Sequence, residues 1–363
     1  MTRGATFVII KPMKQENYYQ ERNLNNLERI DGLLKELPFF VEDFLRGVET
    51  RTSTLTRLNY CYDLRIFFHF LSERKFRGKA VTDITLEDLG SVTDTDLEIF
   101  LSWLSHYNFN GRRLACDERA KARKLSTVRS MFKYFFNKGL IDVNNTTKVA
   151  SPKLHEKEII RLEGDEVSSI LDVAEYGSEL PAHARGYHDK TKIRDVAILT
   201  LFLGTGIRIS ELVGLNDESI DFSNNSFIVT RKGGNKAILY FSKEVGDALA
   251  AYLAQKQEDK EIPPDEHALF LSMQYRRITV RAVENLVKKY AKIVSPLKKI
   301  TPHKLRSTYG TNLYRETGDI YIVADVLGHK DVNTTRKHYA AITEDHRRSV
   351  ASAVRLHKNK DDE

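Results

Sequence analysis

"LGHKDVNTTRKHYAAI", residues 327–342, places a tyrosine among cations. Tyr339 directly follows Arg336, Lys337 and His338, and His329 stands ten positions upstream. A core tyrosine needs one hydrogen-bond partner for its hydroxyl and gains nothing from a crowd of positive charge. A phenol with an ordinary pKa of about 10 is a poor nucleophile at neutral pH. Neighbouring cations favour its phenolate and also draw in a phosphate. The stretch is therefore either a packed tyrosine beside a basic surface or a nucleophile waiting for a phosphodiester, and the rest of the chain decides between them.

Further cations lie upstream, and each is weak alone. "GTGIRISEL" puts Arg208 just after a glycine turn, at the opening of a new helix, where its guanidinium fork suits a phosphate. A surface or ion-paired arginine is the simpler reading of that stretch by itself. Glu211, three residues on, is one helical turn away and suits either reading. "RKGGNK" places Lys232 in a tight hairpin, which in isolation describes a solvated turn lysine. In "TPHKLRST", His303 and Arg306 are three apart and share a helix face, a spacing common by chance. His329 follows Gly328, and a lone histidine is more often structural.

Composition narrows the partner. The 363 residues suggest two domains with an additional arm. Hydrophobic residues make up 41% and charged residues 29%, as in soluble globular proteins. A net charge of +7 favours a polyanion, nucleic acid before an anionic membrane surface. Cys61 and Cys116 are the only cysteines, and neither has a second cysteine or a histidine at metal-ligand spacing. They read as reduced thiols of a cytoplasmic protein. The apolar run Phe7–Ile10 is too short for a signal-peptide core, and Val196–Leu203 is too short to span a bilayer. No clustered carboxylates of the two-metal kind and no phosphate-binding glycine loop appear, so neither a metal nor a nucleotide cofactor is expected.

Residues 1–36 read as an N-terminal helical arm, with a thin apolar stripe at Leu24, Leu27, Ile30 and Leu34. Residues 37–145 read as a compact helical domain. Leu64, Phe67, Phe68 and Leu71 share one helix face. A second helix runs through "TDTDLEIFLSWLSHY", with Thr93 or Thr95 as its N-cap. A third buries Leu125, Val128, Phe132 and Phe135 and stops near Gly139. No strand is expected before residue 150. Residues 146–158 read as a linker and 159–345 as a second domain. That domain contains a polar surface loop, "ELPAHARGYHDKTKIRD", then a helix, a β-hairpin in "SFIVTRKGGNKAILYF", and further helices. Residues 346–363 form a charged tail.

The third helix of the first domain is strongly basic. Arg119, Lys121, Arg123, Lys124, Arg129 and Lys133 lie on it or just before it. A solvated face is the plain reading. The scarcity of acidic residues between positions 119 and 138 favours a helix laid on a DNA backbone.

No single feature is specific, but their order is. An arginine, a hairpin lysine, His-x-x-Arg, Gly-His and a tyrosine follow one another between positions 208 and 339, within "GTGIRISELVGL", "PHKLRSTYGTNL" and "VLGHKDVNTTRKHY". This series resembles the tyrosine recombinase (integrase) family over residues 40–345. His329 to Tyr339 is one residue longer than the family's commonest spacing; some members share the longer spacing, and no other tyrosine lies beyond Tyr321. The resemblance implies a mainly α fold with a small β-sheet, in which a helical core-binding domain and an α+β catalytic domain form a C-shaped clamp on DNA. It implies Tyr339 as nucleophile, giving a 3′-phosphotyrosyl bond and a free 5′-hydroxyl. Arg208 and Arg306 would clamp the phosphate and Lys232 would be the general acid. His303 and His329 would hydrogen-bond the phosphate or assist proton transfer, and Glu211 would orient the basic groups. No metal or cofactor is implied.

The implied partners are double-stranded DNA carrying an inverted repeat and three further copies of the chain, giving a homotetramer on two sites that exchanges strands through a Holliday junction. The tail, with Val350, Ala353 and Val354 on one face, would dock on a neighbouring protomer. Within the family the chain resembles the Xer-type, single-recombinase resolvases of chromosome dimers, which act at dif-like sites on the nucleoid with a DNA-translocating motor as a further partner. An integrase of a phage or mobile element is the alternative.

Overall fold

The computed structural model describes residues 16–154, 160–231 and 234–328, together with Val332. The chain divides into two compact units, 1–157 and 158–363. Among the described residues no helix is long and apolar enough to cross a membrane.

The first unit contains α1 (Glu16–Leu34), α2 (Phe40–Gly47), α3 (Thr54–Phe70), α4 (Leu86–Gly90), α5 (Asp94–Trp103), a hairpin of β1 (Tyr107–Phe109) and β2 (Arg112–Leu114), and α6 (Glu118–Asn137). The apolar stripe of α3 is fully buried at Leu64, Phe67 and Phe68, as is Leu71 just beyond it. The stripe of α6 meets it through Leu125, Val128, Phe132 and Phe135. Phe67 packs its ring edge-on against Phe68, Phe100 and Phe132 at 5.4, 5.2 and 6.4 Å between centroids. Such edge contacts add directional preference to hydrophobic burial. Thr93 is the N-cap of α5, accepting from the Asp96 N–H at 3.2 Å.

The structure extends the reading of the N-terminal helix and corrects one further expectation. The polar α1 is part of the unit's packing: Ile30 is buried, and Asn23 and Asn26 hydrogen-bond the Thr54 hydroxyl at the start of α3. A thin apolar stripe suffices because hydrogen bonds to α3 extend it. The expected absence of strands is also corrected. "NFNGRR" forms the β1–β2 hairpin, with Asn110 and Gly111 in the turn at φ +50° and +73°. Asn-Gly is the strongest short hairpin signal, because a type I′ turn needs positive φ at both central residues.

The buried polar centre of this unit is Asp63, 1% exposed. It accepts hydrogen bonds from Lys124 Nζ at 3.0 Å, Thr127 Oγ1 at 2.9 Å and the Arg123 guanidinium.

The second unit contains α7 (Gly164–Tyr176), α8 (Ala182–Thr205), α9 (Ile209–Val213), β3 (Ile220–Asp221), β4 (Ser226–Thr230), β5 (Lys236–Tyr240), α10 (Lys243–Glu258), α11 (Val280–Val294), α12 (Pro302–Thr317) and α13 (Ile320–Leu327). The three strands form one antiparallel sheet, with β4 and β5 paired from Ser226↔Tyr240 to Thr230↔Lys236. Phe227, Val229 and Leu239 point into the core.

Most of the polar loop expected at 179–195 is instead the first half of α8, which starts at Ala182. Its buried side is polar, which is why no apolar period showed. His188 hydrogen-bonds the Ala174 carbonyl at 2.9 Å. Asp195, 2% exposed, accepts from Thr191, Arg194 and Tyr290. A satisfied polar network takes the place of a leucine stripe.

Two stability measurements follow. Asp63→Ala leaves the Lys124 ammonium buried without its carboxylate, so urea unfolding should show a loss of roughly 3 kcal/mol; a loss below about 1 kcal/mol would refute the buried pairing. Asp96 caps α5 by accepting from the Thr93 N–H and hydroxyl and from Lys75. Its partial burial alone would raise its pKa, but these hydrogen bonds outweigh burial and hold it below the ordinary carboxylate value. A depressed pKa stabilises the fold above the unfolded value, near ~3.9, and the benefit is lost as pH falls through the folded value. The stability gap between wild type and Asp96→Asn should therefore be constant near neutrality and shrink in acid below about pH 4.

Candidate active site

Helix α8 ends at Thr205, and Gly206 reverses the chain with φ +61°. A Cβ on Gly206 would lie 2.4 Å from Tyr309 Cδ1 and 2.9 Å from Leu327 Cδ2. The bare backbone at this turn lets the ends of α8 and α13 approach the body of α12. Burial pushes the Tyr309 hydroxyl pKa up.

Arg208 follows as the N-cap residue of α9. Its backbone N–H donates to Glu211 Oε2 at 3.0 Å, and its Nη1 donates to Glu211 Oε1 at 2.8 Å. The Glu211 side chain is 3% exposed and the Arg208 side chain 34%. A buried carboxylate thus aims a half-buried guanidinium. Arg208 Nη2 donates to the carbonyls of Leu327 and Gly328, each at 3.0 Å.

Arg306 arrives from the second turn of α12 and is itself buried. Its Nη1 donates to the Gly206 carbonyl and its Nη2 to the Leu327 carbonyl. The two arginines therefore share one acceptor, Leu327 O. That carbonyl ends α13, where the unpaired carbonyls carry the negative end of the helix dipole. Two forks 98 positions apart in sequence are brought to one atom. His303 is exposed on α12, one turn before Arg306.

Of the seven residues expected at the site, Arg208, Glu211 and Arg306 are in direct hydrogen-bonded contact or share an acceptor. Lys232, His329 and Tyr339 lie outside the described residues. Their chain neighbours do not. Gly328 ends α13 with φ +60°, and Arg231 opens the β4–β5 turn with its Nη2 donating to the Val326 carbonyl at 3.3 Å. Nothing local in "TRKGG" marks Arg231, because its partner Val326 lies 95 positions away.

The six basic residues of α6 divide by contact. Lys124 is buried on Asp63. Arg129 donates to the Thr146 carbonyl at 3.3 Å, to Ser151 Oγ at 2.6 Å and to the Val149 carbonyl. Both are tied into the unit. Lys121 pairs with Glu118 at 2.9 Å, and Arg123 reaches Asp63 while remaining half exposed. Arg119 and Lys133 are exposed and, among the described residues, make no ion pair. The β1–β2 hairpin adds Arg112 and Arg113, likewise exposed and free of ion pairs there, which the strand-free reading passed over.

The Gly206 geometry is directly testable. Alanine there meets both an unfavourable φ and two side chains, so unfolding should show a loss of roughly 3 kcal/mol. Gly186→Ala is the control, since Gly186 lies within α8 with nothing within 4 Å of its would-be Cβ. It should be neutral or stabilising by about 0.5 kcal/mol. Equal effects at the two positions would refute the close approach.

Comparison with known proteins agrees with the geometry. The Phage integrase family matches residues 160–346, and the Phage integrase N-terminal SAM-like domain matches residues 41–139. Tyrosine recombinase XerC of Caldanaerobacter subterraneus subsp. tengcongensis is 34% identical over 309 residues, covering 82% of each chain. Tyrosine recombinase XerS of Lactococcus lactis subsp. cremoris is 27% identical over 358 residues, covering 92% of this chain and 99% of its own. Among solved structures, XerH site-specific recombinase bound to palindromic difH substrate superposes with a TM-score of 0.65 at 16% identity, over 90% of this chain and 88% of that one. The Tn1549 transposon integrase with circular intermediate DNA gives a TM-score of 0.61 at 21% identity, over 87% and 99%. These two likenesses are of fold, and they match the mainly helical architecture with small sheets. The chain belongs to the phage integrase family and is a tyrosine recombinase.

Proposed function

We propose that the protein is a site-specific DNA recombinase of the Xer type that resolves chromosome dimers at a dif-like site. The observation that carries the chemistry is the convergence of Arg208 and Arg306 on the Leu327 carbonyl, two residues before His329. Three side-chain hydrogen bonds of Arg208 leave two of its five N–H groups for an incoming phosphate. Preorganised donors of this kind stabilise the charge that builds on non-bridging oxygens in the transition state. The Xer names of the curated relatives favour the chromosomal role.

In this reading the Tyr339 phenolate oxygen attacks the scissile phosphorus. The new O–P bond gives a 3′-phosphotyrosyl link. The P–O5′ bond breaks, and the leaving oxygen takes a proton from the Lys232 ammonium. Attack by a 5′-hydroxyl from a second duplex reverses the step and joins strands through a Holliday junction. The arginines supply the positive charge, so no metal is proposed. His303 and His329 hydrogen-bond the phosphate, and Glu211 holds Arg208 in aim.

The DNA is double-stranded with an inverted repeat, bound by two copies per site and four copies per synapse. Arg112, Arg113, Arg119 and Lys133 are the contacts proposed for the helical unit, because their charges have no ion-pair partner among the described residues. Lys124 and Arg129 support the unit from within. Residues 346–363 dock on a neighbouring protomer, a DNA-translocating motor is a further partner, and the enzyme works on the nucleoid in the cytoplasm.

The test uses a suicide duplex nicked near the cleavage position, in EDTA. Wild type should give a denaturation-resistant protein–DNA adduct, and Tyr339→Phe should give none. An adduct that survives Tyr339→Phe moves the nucleophile elsewhere; one that needs added metal removes the metal-free mechanism.

A further inference from the structure

Arg231 links the β4–β5 hairpin to the end of α13. Its backbone closes the turn: its N–H donates to the Asn235 carbonyl at 2.8 Å, and its carbonyl accepts from Gly234 N–H at 3.1 Å. Its side chain leaves the hairpin, and Nη2 donates to the Val326 carbonyl at 3.3 Å. The guanidinium lies over Gly328, where an added Cβ would stand 2.1 Å from Nη1 and 2.4 Å from Cζ. Glycine at 328 thus serves both the turn out of α13, at φ +60°, and the approach of Arg231.

The Arg231 Nε is buried and has no hydrogen-bond partner among the described residues. A guanidinium serving only solubility would turn that N–H to water, because burying it unpaired is unfavourable. The hairpin's backbone bonds already close its turn, so the side chain is not needed for that. What it does is fix two chain positions against each other. Residue 231 is bonded to Lys232 and residue 328 to His329, and consecutive Cα atoms are only about 3.8 Å apart.

We infer that Arg231 is a positioning residue that anchors the Lys232-bearing hairpin to the end of α13, where Arg208 and Arg306 converge. The inference rests on the reading of Lys232 as general acid. Arg231 then acts through the proton delivered to the leaving 5′-oxygen. Without its grip on Val326 and Gly328, β4 and β5 stay paired while the tip is free to swing, and proton delivery slows. A third guanidinium on the same helix end also adds to the positive field there, but a field effect would weaken DNA affinity and every substrate alike.

The deciding measurement compares two suicide substrates at saturating DNA. One has the ordinary scissile phosphodiester; the other carries sulfur in place of the bridging 5′-oxygen, so that a thiolate departs without needing a proton. With oxygen, Arg231→Ala should cleave slower by on the order of 10–100-fold. With sulfur, most of that loss should vanish, and DNA affinity should change little. Arg231→Lys, which keeps a donor for one carbonyl, should recover part of the oxygen rate. Should Arg231→Ala fail to fold, Arg231→Met keeps the aliphatic stem and carries the same comparison.

Lys232→Ala separates the two readings. If its defect is not relieved by sulfur, the general-acid assignment falls and the inference falls with it. If sulfur rescues Lys232→Ala but not Arg231→Ala, the inference alone is overturned. Wild-type cleavage by Arg231→Ala on oxygen overturns it as well.

Discussion

The carbonyl of Leu327 is the point on which the catalytic unit is organised. It ends α13, where the helix no longer supplies hydrogen-bond donors, and two guanidinium groups take their place. Arg208 comes from the turn after α8 and Arg306 from α12, while Arg231 binds the preceding carbonyl from the β-hairpin. Three positive groups within one helix end would repel one another in the open. The negative end of the helix dipole and the buried Glu211 carboxylate make their assembly favourable before any substrate arrives. A phosphodiester bound as proposed would meet donors charged and placed in advance.

The same economy of charge runs through the helical unit in the opposite sense. Asp63 is buried beneath α6 and draws Lys124 and Arg123 toward the core. Arg129 closes over carbonyls at the end of the unit. These cations hold the basic helix to its neighbours, and the charges left in solvent lie on one part of α6 and on the β1–β2 hairpin. A count of basic residues along a helix measures its charge, but contact with a phosphate depends on which of those charges already have partners. The polar first half of α8 makes the complementary point. Its inward face is a hydrogen-bonded network around Asp195, and a network of that kind stabilises packing only because each member is satisfied.

Much of this was legible in the sequence. The four-residue stripe Leu64, Phe67, Phe68, Leu71 specified α3 and its buried face, because hydrophobic period and helix period coincide. The threonines at the start of the next acidic helix placed its cap at Thr93 or Thr95, and the structure selects Thr93. The strand runs around Gly233–Gly234 specified the β4–β5 pair. The order of arginine, lysine, His-x-x-Arg, Gly-His and tyrosine specified the family and, through it, Arg208, Glu211 and Arg306 as neighbours. The β1–β2 hairpin was written in Asn110–Gly111 and passed unread because its strands are only three residues long.

Other features had no local signature. The helical path of residues 182–195 depends on Asp195 meeting Tyr290 nearly a hundred positions away, and α1 joins its unit through hydrogen bonds to Thr54. Neither pairing leaves a period in the chain. The inward turn of Lys124 depends on Asp63, and the meeting of Arg208, Arg306 and Arg231 depends on where α13 ends. The sequence by itself determined which helices have apolar faces, where several of them stop, and which residue types the chemistry has at hand. Only the tertiary structure decided which cations are neutralised inside and which converge on one carbonyl, because charges act through distance and burial, and neither is a property of neighbours along the chain.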